Sequence, residues 1–165
     1  MDPTLLPTIW PGNCFACSAR NSHGLKLQFV RTKEGVSARC ELDRHLSGMN
    51  GVTHGGIVAT LLDEAAAWAL AAHAGCLGVT SGMNIRFVKP VDVAVPLVVQ
   101  AFVVEHDAKV ARTLAQVVGE QDIVLAAATS EWTLLSVAAA ARLTGIDRDQ
   151  LDRFIAIVHH PAGSE

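Results

Sequence analysis

The sequence predicts an α+β fold: an antiparallel sheet wrapped around one long central helix, with a helical extension at the C-terminus. Three observations predict it. The stretch His54–His73 is apolar on nearly every face, the mark of a helix buried all round. Two alternating segments of strand length precede it and four follow it, separated by turn residues. Beyond the last of these, two cap-and-stop signals outline short helices. One helix between two runs of strands folds as a sheet covering that helix, not as alternating βαβ units.

The elements follow in order. Met1–Pro11 holds three prolines and no periodicity, so it reads as an extended arm. Leu25–Arg31 and Val36–Leu42 alternate apolar and polar residues, with Lys33-Glu34-Gly35 as the turn of a hairpin. Asp43–Thr53 carries Gly, Ser and Asn and reads as a loop. Gly75 and Gly78 stop the long helix. Val79–Val88, Leu97–His106, Val110–Gly119 and Ile123–Leu134 are the four later strands. Ser136 caps an Ala-rich helix ending at Gly145. Asp147 caps another, with Ile146, Leu151, Phe154, Ile155 and Val158 at helical spacing, suited to packing or oligomer contact. We expect one domain over residues 1–165, with an arm (1–24), a core (25–134) and a helical tail (135–165).

Bulk properties narrow the function. The chain is 50% hydrophobic with a mean hydropathy of +0.33, high for a monomer, so burial against copies of itself is expected. The longest apolar runs are broken by His, Glu, Asp or Thr, so no membrane span is expected. The net charge is −3 and no basic cluster stands out, which argues against nucleic acid as the main partner. Met1–Trp10 lacks a basic segment followed by an apolar core, so no secretory signal is expected. Four scattered cysteines make no disulfide scaffold, and a cytoplasmic home follows as the expectation.

The chemistry concentrates in His54-Gly55-Gly56 and in Asp63-Glu64. From Ile57 to Ala72 those two acids are the only charged residues. Carboxylates are rarely buried unless paired or used. The first turn of a helix has unpartnered N–H groups and partial positive charge, and glycines let a substrate approach that backbone. Gly55 and Gly56 therefore offer an oxyanion site. Asp63 lies eight residues after Gly55, about 12 Å along a helix. A reacting carbonyl must sit roughly 3 Å from both groups, so one helix cannot serve it alone. Two antiparallel copies can, with Gly55 of one chain facing Asp63 of the other. On the helical wheel Asp63 points away from the stripe Ile57, Val58, Leu61, Leu62, Ala65, Trp68 and Ala69, and Glu64 lies about 100° round from it, where a salt bridge at the helix edge is expected.

These residues resemble the hotdog-fold acyl-CoA thioesterases, specifically the group that includes the phenylacetate-pathway thioesterase. The matching segments are Gly51-Val52-Thr53-His54-Gly55-Gly56, Ala59-Thr60-Leu61-Leu62-Asp63-Glu64 and Met83-Asn84-Ile85-Arg86-Phe87-Val88-Lys89-Pro90. Asn13-Cys14-Phe15-Ala16-Cys17 with Gly24-Leu25 also recurs in relatives. The resemblance spans roughly residues 13–134. It implies a hotdog fold, a dimer often paired into a tetramer, and hydrolysis of an acyl-CoA thioester with no cofactor beyond the CoA of the substrate. By match, Gly55 supplies the oxyanion N–H and Asp63 is nucleophile or general base, a role for which an interior carboxyl is suited. Many members carry an Asn six residues before the HGG histidine. That position is Gly48 here, and Asn50 takes the expected role of orienting thioester or water. Thr80 or Ser81 resembles a hydroxyl that positions the acid or water.

Other residues have assigned expectations. His54 anchors the loop by a hydrogen bond or acts as a base. His45 lies near the site mouth or on the surface. Gly56, Glu64 and Ser81 complete the substrate contacts, and Arg86 and Lys89 meet the CoA phosphates. Cys14-x-x-Cys17 with His23 hints at zinc but lacks a fourth ligand, so no metal is expected and the cysteines serve as small apolar residues. His159-His160 reads as a frayed end. Two further functions compete: a non-catalytic acyl-CoA-binding hotdog protein, and a hotdog dehydratase using His45 with Asp63 or Glu64. Hydrolysis assays separate the first, and product analysis with a 3-hydroxyacyl-CoA separates the second.

Overall fold

The computed structural model describes residues 4–7 and 10–160. The strands are β1 (Thr4–Leu5), β2 (Val30–Arg31), β3 (Gly35–Glu41), β4 (Ser47–Met49), β5 (Val52–Thr53), β6 (Leu77–Phe87), β7 (Pro96–His106), β8 (Val110–Val118) and β9 (Val124–Leu135). The helices are α1 (Gly55–Ala69), α2 (Val137–Thr144) and α3 (Arg148–His159). Seven strands make one antiparallel sheet in the order β1-β2-β3-β7-β8-β9-β6, and β4 and β5 form a separate hairpin.

The sheet wraps α1. Its strands alternate as a half-buried sheet must: Val36 and Ala38 on β3, Leu97, Val99 and Ala101 on β7, and Ala111, Ala115 and Val117 on β8 all face the core. Many of these inward residues are alanines, which lets the helix lie close to the strands. On α1, Val58, Leu61, Leu62, Ala65, Ala66, Trp68 and Ala69 are buried, as the wheel predicts. The helix runs on through one wider turn, Leu70–Ala74, and stops at Gly75, whose φ of +63° suits glycine. By length and apolarity the 20 residues Gly55–Ala74 match a membrane span. Their place inside the sheet accounts for that apolarity.

Five expectations change, the first being that Gly78 lies inside β6 and takes no part in stopping the helix. Leu25–Arg31 shrinks to the two-residue β2. Lys26 has φ +54°, and the N–H groups of Leu25 and Leu27 are drawn instead to the carbonyls of Phe15 and Ala16. The arm contributes β1, and Leu6 is buried beside it; residues 1–3 and 8–9 lie outside the described residues. Asp43–Thr53 is not a plain loop. It holds a short helical turn, Arg44–Leu46, and the β4–β5 hairpin with Asn50-Gly51 at its tip. The His159-His160 end is docked, not frayed: His159 Nδ1 stands 3.0 Å from the Ala72 carbonyl oxygen.

The tail is a packing element. Ser136 and Asp147 cap α2 and α3 by accepting backbone N–H bonds, and Gly145 ends α2 in the left-handed conformation. Leu151, Phe154 and Val158 are buried. Phe154 meets Trp68 edge-on at 5.5 Å and Trp10 at 5.1 Å, while Trp68 stacks on Phe29 at 5.3 Å. Arg31 joins the parts: its guanidinium donates to the carbonyls of Ala72, Val158 and His159, the C-terminal ends of the central helix and of α3.

Candidate active site

The N-terminus of α1 is built by its cap. His54 Nδ1 accepts the Gly56 N–H at 2.9 Å. Nδ1 being the acceptor, the neutral ring carries its proton on Nε2. The N–H groups of Ile57 and Val58 go to the His54 carbonyl. Among the described residues nothing takes the Gly55 N–H, so this donor, and not that of Gly56, is free for an incoming oxygen. His54 thus has the anchoring role of its two expectations.

Gly55 is exposed and looks toward the Phe87 ring; a Cβ there would lie 3.6 Å from Phe87 Cζ. Around it runs a groove of about 340 Å³ lined by Met49, Val52, Phe87, Lys89 and Pro90 among others. Lys89 lies on this groove. Arg86 lines no part of it and sits on the exposed face of β6.

Asp63 lies one helical stretch away on the same solvent-facing side. It is half-buried in the single chain, less enclosed than the interior acid expected. The Thr80 hydroxyl donates to Asp63 Oδ1 at 2.6 Å, across the gap between α1 and β6. Oδ2 is left for other chemistry. Ser81 is also exposed but lines a different cavity, shared with Glu105, His106, Arg112, Glu131 and Trp132. The strand partner of Gly82 is Glu131, and the pairing slips between Thr80 and Gly82. That irregularity sets the adjacent hydroxyls apart.

Asn50 sits exposed at the tip of the β4–β5 hairpin, where Gly51 takes φ +84°. Gly48 cannot house the asparagine expected there by resemblance without movement: a Cβ would lie 3.0 Å from the His54 Cα. His45 is a surface residue bound to Asp43 at 2.8 Å, and it meets neither Asp63 nor Glu64.

Glu64 departs most from expectation. It makes no salt bridge among the described residues. Instead Trp68 Nε1–H donates to Glu64 Oε1 at 2.9 Å, and the Cys14 thiol reaches Oε2 at 3.3 Å. Glu64 therefore faces the N-terminal loop, not the groove. Burial, with the Cys14 charge beside it, pushes its carboxyl up to about 7. Hydrogen bonds from Cys17 hold the Cys14 thiol below the ordinary thiol range, and Cys17 as their donor is pushed up. Sequence reasoning picked out the cysteine pair but missed Glu64 beside it, because 50 residues separate Cys14 from Glu64.

Comparison with known proteins agrees with this architecture. Residues 50–126 match the thioesterase superfamily, a little under half the chain but all of α1 and β6 to β8. Among solved structures, a thioesterase superfamily protein superposes with TM-score 0.69 at 20% identity, covering 73% of this chain and 60% of its own. The chain thus spans less than two thirds of that protein. The Escherichia coli PaaI protein from the phenylacetic acid degradation operon gives 0.62 at 20%, with 68% of this chain and 81% of that one covered. A Streptococcus mutans protein bound to acetyl CoA gives 0.61 at 20%, with 67% and 89% covered. No curated protein matches in sequence. The chain has the hotdog fold of the thioesterase superfamily, and its resemblance extends to the phenylacetate-operon protein.

Proposed function

We propose that two copies of this chain form a dimer that hydrolyses acyl-CoA thioesters, with two sites at the interface. The observation that carries the reading is the placement of Gly55 and Asp63 on one helix. A free N–H and an acid lie about 12 Å apart along it, both toward solvent. Beside them β6 is an 11-residue strand at the sheet edge, with Val79 and Phe87 exposed on it and Val88 exposed just after it. A long edge strand with unpaired backbone groups is a pairing surface. Pairing β6 with its copy sets the two α1 helices antiparallel, so Gly55 of one chain meets Asp63 of the other.

In that site the Gly55 N–H stabilises the oxyanion as the thioester carbonyl is attacked. Asp63 attacks the carbonyl or takes a proton from the attacking water, steered by Thr80. The thiolate of CoA leaves. The groove of Phe87, Lys89 and Pro90 takes the arm of the substrate, and Lys89 meets its phosphates.

Complementation tests this. Gly55→Pro deletes the oxyanion donor at a position where proline suits a helix start, and His54 already has the extended ψ of 132° that a following proline requires. Asp63→Asn deletes the acid. Each variant alone should lose roughly 10²-fold or more in turnover. Mixed and reassembled one to one, half the dimers are hybrid and each has one whole site, so activity should return to roughly a quarter of wild type. Two variants that stay dead together after proven subunit exchange would sink the shared site.

A further inference from the structure

We propose that Cys14, Cys17 and Glu64 hold a thiophilic divalent metal ion, zinc by preference, in a site separate from the thioester groove. Their ligand atoms all lie within 4.8 Å of one another. A tetrahedral zinc with Zn–S near 2.3 Å has ligand-to-ligand edges of roughly 3.7 Å, so a small contraction closes the set. His23, the nearest histidine in sequence, is exposed and outside the cluster.

The surroundings are built for a metal. The Ala16 N–H donates to Cys14 Sγ at 3.2 Å, so the turn that carries both cysteines points backbone dipoles at sulfur. The loop is held on both sides: Ser18 N–H bonds the Cys14 carbonyl at 3.1 Å, and Leu25 and Leu27 bond the carbonyls of Phe15 and Ala16 at 2.9 Å each. Cys17 is only 4% exposed. The carboxylate is oriented as ligand carboxylates are, with Oε1 fixed by the Trp68 indole and Oε2 turned toward sulfur. With the ion bound, two thiolates and a carboxylate carry three negative charges, and among the described residues no Lys, Arg or His forms an ion pair with Glu64. A divalent ion supplies the missing positive charge, with the thiol protons passing to solvent. Three protein ligands leave a fourth position for water or an outside donor. The ion would tie the N-terminal loop to α1 at the residue next to Asp63.

The test uses the full chain, reduced, stripped with chelator and reloaded with Zn²⁺ or Co²⁺. We expect about one ion per chain, thiolate-to-cobalt charge-transfer absorption and a higher Tm. Cys14→Ser or Cys17→Ser should abolish the charge-transfer band or weaken binding at least about 10-fold, and Glu64→Gln should weaken it by about 10-fold. Because a cysteine variant can misfold, wild type gives a second measurement. Zinc should protect Cys14 and Cys17 from alkylation and leave the rates at Cys40 and Cys76 unchanged. Binding that survives the Cys14→Ser/Cys17→Ser double variant, or that is lost only on replacing His159 and His160, overturns the site. So does reduced protein that retains no ion while Cys14 and Cys17 alkylate freely or close into a disulfide.

Discussion

Thr80 donates its hydroxyl proton to Asp63 across 2.6 Å, joining the N-terminal half of strand β6 to the middle of α1. This bond occupies one lone pair of the carboxylate and fixes its plane. An acid held by a neighbouring hydroxyl keeps its other oxygen aimed, and aim matters more in catalysis than mere presence. Thr80→Val should therefore lower kcat by roughly 10-fold with little change in KM, while Thr80→Ser retains most activity. Steady-state kinetics on a panel of acyl-CoA substrates checks this. A valine variant as fast as wild type would make the bond structural only.

For the proposed CoA substrate, two cations are candidates to meet the phosphates, and one of them lines the groove. Lys89 lines the groove at the Gly55 end and Arg86 does not. Lys89→Ala should raise KM several-fold and leave kcat nearly intact, because contacts far from the carbonyl contribute uniform binding. Arg86→Ala should do less. KM should also climb with ionic strength, since exposed charge contacts are screened. Equal and negligible effects of both variants would move the nucleotide elsewhere.

Phe154 bridges the tail to the core through Trp10 and Trp68. It is 4% exposed. Phe154→Ala should cost about 3–5 kcal/mol of stability, read as a lower denaturation midpoint. A loss well below 1 kcal/mol in denaturant titration would mean that α3 docks loosely and that its helix is dispensable.

His73 gives a pH signature. Its Nε2 stands 2.8 Å from the Gly35 carbonyl oxygen. Burial, with the charges of Arg31 and His159 nearby, lowers its value from 6.5. Below 6.5 the unfolded chain binds a proton that the folded chain refuses. Stability from this group is thus fully present above 6.5 and falls as pH drops from there through the folded value. Denaturation midpoints measured across that window should decline toward acid, and less so in His73→Gln. An identical decline in the variant would assign the slope to other groups.

The sequence by itself determined the helix, its cap and its stop. His54, the paired glycines and Gly75 act through bonds within a few residues, so local chemistry suffices. It also determined β6 to β9 and the two tail helices, because strand alternation, caps and left-handed glycines leave local marks. Resemblance pointed to Thr80 or Ser81 as the hydroxyl beside Asp63, and only the packed chain supplied the 2.6 Å bond from Thr80.

What only the tertiary structure decided is where long-range partners met. Leu25–Arg31 alternates like a strand, yet the N–H groups of Leu25 and Leu27 are drawn to the cysteine loop, and periodicity cannot report such competition. Glu64 reads as an edge charge on a helical wheel. The fold brings Cys14 and Trp68 onto it and makes it a half-buried, hydrogen-bonded acid. Arg31 looks like any strand-end cation, and it turns inward because two helix ends leave carbonyls without partners there. Each of these outcomes depends on which buried polar group lacks a partner once the sheet has closed around α1, and that deficit exists only in three dimensions.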